Sequence, residues 1–336
     1  GGVARDGGPT STQRSLFDIG PPTVAPTPRF PPTEPHRDAR RDALGAALAA
    51  RFPEVRLGTS SWTFPGWNGI VYAEGTHEKA LLRDGLRAYA AQPLFRTVGV
   101  DRSYYAPLSA GDVADYAASV PADFRPLAKV WRAITATTPV DGGALPAPFL
   151  NAPLFLEKVR APWLGSSLSP VHVLEFPPMA PGTMTAGAFA AALERFLGEL
   201  PGDLALAVEL RNEHLFSPRY AAVLREARVG HVYNQWTAMP SVGTQAKRFV
   251  ARADAPVVVR LLLPRHARYA DKKAEFAPFH RIVEAQPAMR AETVALVRAA
   301  LEIGAKEVFV TVNNKAEGCS PLTVEAIAEL LLADAR

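Results

Sequence analysis

The chain has 336 residues, 48% of them hydrophobic, which is ample for a sizeable core, and its evenly spaced apolar runs argue for one large domain. A formal charge of +4 is compatible with a phosphate-bearing partner and does not demand one. The single cysteine, Cys319, excludes an intrachain disulfide, and no apolar stretch is long enough for a membrane span or a leader core, so the expected location is the cytoplasm.

Residues 1–40 are dense in Pro, Gly, Thr and Arg and read as a disordered arm, with the folded domain expected over 41–336. One patch in the arm is more than a spacer: Gln13-Arg14-Ser15-Leu16-Phe17. Leu16 and Phe17 are adjacent large apolar groups with no core to enter, which leaves them free to dock in a partner's groove. The pentapeptide resembles the Gln-Leu-Ser/Asp-Leu-Phe motif by which bacterial DNA-maintenance proteins bind the replicative sliding clamp, with Arg14 replacing the usual Leu. That likeness implies the clamp as partner and Gln13, Leu16 and Phe17 as the residues that bind it.

Beyond the arm, RRDALGAALAARF (40–52) predicts a short helix, and eight β-branched apolar runs follow at 55–62, 95–103, 124–131, 171–176, 204–212, 229–236, 256–264 and 307–314. Ala- and Leu-rich helical stretches separate most of them, the weakest being SVGTQAKRFVARA after the sixth run. Alternating strand and helix implies βα units on a parallel sheet. Eight such units predict an α/β fold, a single (β/α)8 barrel of the TIM type. Two long insertions, 132–148 and 265–289, follow the third and seventh runs and so belong to the C-terminal rim, where barrel active sites lie. The second is basic and aromatic, with Arg265, His266, Arg268, Lys272, Lys273 and Arg281 among Tyr269, Phe276 and Phe279.

Strand side chains alternate, so parity assigns each to the barrel interior or to the helices. In LALAVELRN the bulky Leu204, Leu206, Val208 and Leu210 take the helix side, which points Glu209 and Arg211 inward. The same rule places Thr97, Gly99, Asp101 and Ser103 inside from the second run, and Phe309, Thr311 and Asn313 from the eighth. Lys129, Glu175 and Arg260 face inward from runs three, four and seven, and Ser60 and Trp62 from the first. Three acids and three bases thus converge at the strand ends. A self-neutralising structural network would explain them, but their confinement to one rim favours a ligand site.

The neighbouring carboxylates Glu175 and Glu209 suit a general acid and base, and Lys129, Arg211 and Arg260 an anion clamp, with neutral hydrogen bonds from Asn313 and Asn314. Asp101, Glu175 and Glu209 could hold Mg²⁺ or Mn²⁺, although nothing requires a metal, and His214 and His266 are the only histidines just after strand ends. No glycine-rich phosphate loop, nucleophile elbow or dinucleotide fingerprint occurs.

An ordered series of motifs runs through these residues: Gly58-Thr59-Ser60-Ser61-Trp62-Thr63-Phe64-Pro65-Gly66-Trp67, Val98-Gly99-Val100-Asp101-Arg102-Ser103-Tyr104-Tyr105, Ala128-Lys129-Val130, Glu175-Phe176-Pro177-Pro178, Ala207-Val208-Glu209-Leu210-Arg211 and Asn313-Asn314. In them the chain resembles the YecE-like family, domain of unknown function 72, over roughly residues 55–334. The resemblance implies a TIM-type barrel and no settled activity. Gly99 stands where the family usually has Glu, Asp101 where it has Asn, and Glu175 where it has Gln. Because Gln is no general base, the likeness shifts the catalytic expectation from Glu175 toward Glu209, Lys129 and Arg211.

The expectation that gathers most of these features is a barrel enzyme, a phosphoesterase-like hydrolase, acting on a nucleotide or nucleic acid and brought to DNA by the arm. It makes Glu209, Lys129 and Glu175 catalytic and Arg211, Arg260, Asp101, Ser60, Trp62, Tyr105, Asn313 and Asn314 substrate-binding. Two rivals are a carbohydrate-active barrel using Glu209, with Trp62, Trp67 and Trp131 as stacking walls, and a non-catalytic ligand-binding barrel.

Overall fold

The computed structural model describes residues 30–138 and 145–333. Eight parallel strands close into one barrel in sequence order: β1 (Val55–Thr59), β2 (Thr97–Val100), β3 (Leu127–Lys129), β4 (Val171–Glu175), β5 (Leu206–Glu209), β6 (Gly230–Gln235), β7 (Val257–Leu261) and β8 (Val308–Val312). The seam between first and last strand is fully paired, from Val55 against Val308 to Thr59 against Val312. The seven-residue helix Val242–Arg248 fills the weakest predicted unit, and β6 and β7 pair beside it from Val232 against Val258 to Gln235 against Leu261.

Short polar residues begin the outer helices. Ser109, Thr185, Ser217 and Ser241 each accept a hydrogen bond from a backbone N–H three residues on, which satisfies a donor that the first helical turn leaves free. Their apolar faces and the outward strand residues, such as Val98, Val208 and Val310, form the main core. A second, smaller core fills the barrel itself, from Leu127, Val171, Val173, Ala207, Val232, Val258 and Phe309. This apolar plug lies one inward position below the charged strand ends, so the barrel is closed on one side of the site.

The packed body begins earlier than the sequence predicts. Phe30 stacks on His77 with ring centroids 4.0 Å apart, Thr33 N–H donates to Asp84 at 3.1 Å, and Pro35 bridges to Tyr72. Residues 30–38 therefore lie against the barrel, although they share the Pro-rich composition of the expected arm. The helix Ala39–Arg51 follows, capped by Asp38, and its Arg41 pairs with Glu325 of the last helix at 3.1 Å. Gln13, Leu16 and Phe17 lie outside the described residues. No helix among the described residues is long and apolar enough to cross a membrane.

The insertion after β7 forms the helix Tyr269–Phe276 and then a segment wedged against the turn after β1. A Cβ added to Gly66 would lie 1.7 Å from the Pro278 carbonyl oxygen, so only glycine permits this approach. Phe279 meets Phe64 edge-on, with 5.9 Å between centroids. The insertion is thereby fixed as a wall of the rim.

Candidate functional site

At the C-terminal rim a cavity of about 350 Å³ is lined by Asp101, Tyr104, Tyr105, Lys129, Glu175, Pro177, Pro178, Arg211, Trp236, Arg260, Leu262, Tyr269 and Asn313. Seven of these, Asp101, Tyr105, Lys129, Glu175, Arg211, Arg260 and Asn313, are residues that the sequence singles out. Strand parity brings together all but Tyr105, which sits on the short helix Arg102–Tyr105, because each of the other six ends or follows a strand at its inward position.

Their charges form one connected network. Glu175 accepts a hydrogen bond from Arg260 at 3.0 Å and has Lys129 at 3.2 Å and Arg211 at 3.1 Å. Glu209 pairs with Arg260 and lies 2.8 Å from Arg211 Nε, a contact without hydrogen-bond alignment. Asn234 Nδ2 donates to Glu209 at 3.3 Å and to the Leu210 carbonyl at 2.9 Å. Lys129 also meets Asp101 at 3.1 Å.

The two glutamates differ in what they can do. Glu209 is 0% exposed and does not line the cavity, and both its oxygens are engaged by Arg211, Arg260 and Asn234. Glu209, expected to be catalytic, therefore lies beneath the cavity, with its carboxylate between the two guanidinium groups. Glu175 opens onto the cavity. Burial alone would raise its pKa, but the charges of Arg211, Lys129 and Arg260 outweigh this and hold the carboxyl well below the usual range. An acid so strongly ionised has no proton to give near neutrality, and it is a weak base. Burial would lower the Arg260 pKa, yet Glu209 and Glu175 drive it above its ordinary value.

Aromatic rings wall the cavity, each with a cation near one face. Arg211 stands 4.0 Å from the Trp236 centroid, Lys129 5.2 Å from Tyr104, Arg132 5.9 Å from Tyr105, and Lys315 4.6 Å from Tyr269. Burial, helped by the Glu175 charge, pushes the Tyr104 hydroxyl up to about 12. Trp236 and Asn234 are absent from the sequence-derived site, although alternation from the interior Val232 finds Asn234 on β6 and Trp236 just past its end.

Three expected ligand contacts lie elsewhere. Trp62 meets Tyr116 edge-on in a groove between the outer helices Glu78–Ala90 and Ala110–Ser119, because strand alternation stops at Thr59. Asn314 is buried in the turn after β8, where its Oδ1 accepts from Trp67 Nε1 at 3.1 Å and from Ser320 N–H at 2.9 Å, so its role is to fix that turn. Ser60 is 4% exposed, its hydroxyl has no hydrogen-bond partner among the described residues, and it is not part of the cavity lining. Ser103, assigned inward by parity, donates to the Lys129 carbonyl at 2.6 Å from a helix that begins at Arg102.

Among the described residues no three His, Cys, Asp or Glu side chains group as metal ligands. Asp101, Glu175 and Glu209, the expected set, instead face Lys129, Arg211 and Arg260. His214 and His266 do not line the cavity.

Among solved structures, the chain is similar to a DUF72 family protein from Enterococcus faecalis, with 19% identity, a TM-score of 0.54, and coverage of 84% of this chain and 96% of that one. It is equally similar to a DUF72 family protein from Thermotoga maritima, with 19% identity, a TM-score of 0.54, and coverage of 82% and 98%. These likenesses bear on the fold. No curated protein matches the chain. The model of the family described as "Protein of unknown function DUF72" matches residues 56–336, which include all of the barrel strands except Val55 and every residue of the cavity, and the chain belongs to that family.

Proposed function

We propose that the rim cavity binds the phosphate-bearing part of a nucleotide or nucleic acid. The observation that carries this reading is a charge imbalance in and beneath the cavity. Besides the exposed Arg132 outside Tyr105, four cations, Lys129, Arg211, Arg260 and Lys315, stand against three carboxylates, Asp101, Glu175 and Glu209. One anionic group on the ligand would restore balance, and two arginines of fixed orientation suit a tetrahedral oxyanion.

Binding has better support than hydrolysis. Cleavage of a phosphoester needs a proton donor or an activated water, and neither ionised Glu175 nor enclosed Glu209 is placed to supply the proton. The three tryptophans expected to wall a sugar site lie elsewhere, since Trp67 is 0% exposed, Trp62 faces an outer groove and Trp131 lines a separate crevice beside Trp163, and the rings that do wall the cavity, Trp236, Tyr104, Tyr105 and Tyr269, each carry a cation. Recruitment to DNA through Gln13, Leu16 and Phe17 belongs to the same proposal and rests on the sequence motif.

The experiment is a thermal-shift series at low salt with nucleotides, short single-stranded DNA and neutral sugars, repeated with Mg²⁺ and Mn²⁺ alongside a phosphoesterase assay. Nucleotides or DNA should raise the melting temperature and sugars should not. Stabilisation by sugars alone, with no binding of phosphate-bearing ligands, would overturn the reading. For the arm, Leu16→Ala with Phe17→Ala should abolish binding to the purified clamp; unchanged affinity removes the motif from the argument.

A further inference from the structure

Of the four cations at the cavity, three already face carboxylates, and the fourth does not. Lys315 is 7% exposed, and among the described residues no carboxylate oxygen lies within ion-pair distance of its ammonium. The ammonium stands 4.6 Å from the Tyr269 centroid and 5.6 Å from that of Phe279, and 3.3 Å from Asn313 Oδ1. Tyr269 and Asn313 both line the cavity and Lys315 does not, so the ammonium stands directly behind two wall residues, within the field of the lining residues Asp101 and Lys129.

This position is built. Asn313 Oδ1 accepts from the Lys315 N–H at 3.0 Å, and Asn314 anchors the same turn to Trp67 and Ser320. A desolvated ammonium without a counter-ion is unfavourable, and two ring faces offset only part of that cost. Nothing in the packing needs the charge, because an apolar side chain of similar length would fill the same space between Tyr269 and Phe279. The feature that does use an uncompensated cation directly behind a cavity wall is an incoming anion.

We propose that Lys315 is the docking cation for the ligand's anionic group, a terminal phosphate monoester. The inference rests on the reading of the cavity as a phosphate site and adds which residue meets the phosphate. Lys129, Arg211 and Arg260 form the floor and orient the ligand, while Lys315 supplies the unmatched charge. The titratable groups that act on it are Lys273 from the helix Tyr269–Phe276, Asp101 after β2 and Lys129 on β3. Burial, reinforced by Lys273 and Lys129 and opposed by Asp101, brings its pKa down to about 8. Below that value the empty site is charged and ready. Above it, the amine is neutral, and a phosphate dianion binds only by drawing a proton in with it.

The test is calorimetry of dAMP binding to the full chain at about pH 7.5 and about pH 9, each in two buffers of different ionisation heat. Wild type should take up little or no proton at the lower pH and up to one at the higher, with weaker affinity there. Lys315→Met should bind at least about tenfold more weakly at the lower pH and lose the pH dependence, and Lys315→Arg should bind at both without proton uptake. Inorganic phosphate should compete with dAMP, and deoxyadenosine should not.

Equal affinity and equal proton uptake in Lys315→Met would overturn the assignment and leave the phosphate reading standing. Competition by deoxyadenosine alone would overturn it too, by placing the base in the site. Failure of dAMP and phosphate to bind wild type at either pH would remove the reading itself. Lys315→Met should melt no lower than wild type, since it loses a buried charge that has no counter-ion. A lower melting temperature would make the ammonium structural and overturn the proposal by another route.

Discussion

Two ion pairs in this barrel have the same length and opposite surroundings. Arg211 and Glu209 approach to 2.8 Å at the barrel mouth with side chains 7% and 0% exposed, while Arg248 and Glu213 approach to 2.8 Å on the outside with side chains 42% and 50% exposed. Distance therefore does not separate them. At the mouth, water cannot replace a lost partner; on the outside it does so at once. The comparison implies that the rim network is an all-or-none assembly, and the outer pairs are nearly independent of one another.

The strongest way to break that claim is Glu209→Ala. It leaves Arg260 and Arg211 short of a counter-ion above an apolar plug, and the expected loss is about 3–5 kcal/mol in denaturant unfolding. Replacing both members, as in Glu209→Met with Arg260→Met, removes one of the two stranded charges along with its partner and leaves Arg211 facing Glu175 at 3.1 Å. The pair variant should recover most of that stability while losing ligand affinity. If the double variant is as unstable as the single, geometry and not charge holds the mouth together.

Glu175 sharpens the same point through pH. Its folded pKa is depressed, so its contribution is complete above the ordinary glutamate value and is lost as pH falls from there toward the folded value. Glu175→Gln should cost roughly 1.5–3 kcal/mol at neutral pH, the worth of hydrogen bonds to charged groups. The gap between wild type and variant should close as pH drops below about 4.3. A gap that stays constant across that window would mean that the carboxylate's charge contributes nothing.

Asn234→Ala comes next, at roughly 1–3 kcal/mol. It removes the donor to Glu209 and the Leu210 carbonyl, and it takes one acceptor, at 3.2 Å, from the Gln245 amide, which keeps the Asn234 and Pro240 carbonyls at 2.8 Å. Circular dichroism melts should show the loss. Because Asn234 carries no charge, the loss should not depend on salt.

How much of this was legible in the sequence follows from the same physics. Eight alternating units and the inward parity of Lys129, Glu175, Glu209, Arg211 and Arg260 emerge from hydrophobic period alone, since a buried strand has two faces and only one admits charge. Parity fails where the strand stops: Trp62 and Ser103 are past the ends of β1 and β2, and turn geometry takes over. Which carboxylate touches the cavity is not a matter of period, because Glu175 and Glu209 are register partners on adjacent strands and differ only by what packs above them. Asn234, on β6, and Trp236, just past its end, were legible by alternation from the interior Val232. Lys315 was not, because nothing in a sequence marks a lysine as lacking a counter-ion.

The smallest effect belongs to the outer pair. Glu213→Ala deletes a contact as short as the one at the mouth, and the Arg248 guanidinium it releases still lies 5.9 Å from the Phe216 centroid and gains water. Exposed pairs contribute at most about 1 kcal/mol, and salt screens what they do contribute. A melt of Glu213→Ala in low and high salt should therefore differ from wild type by little in the first and by nothing measurable in the second. A loss approaching that of Glu209→Ala would show that the 2.8 Å separation itself carries the energy, and the distinction between mouth and surface would collapse.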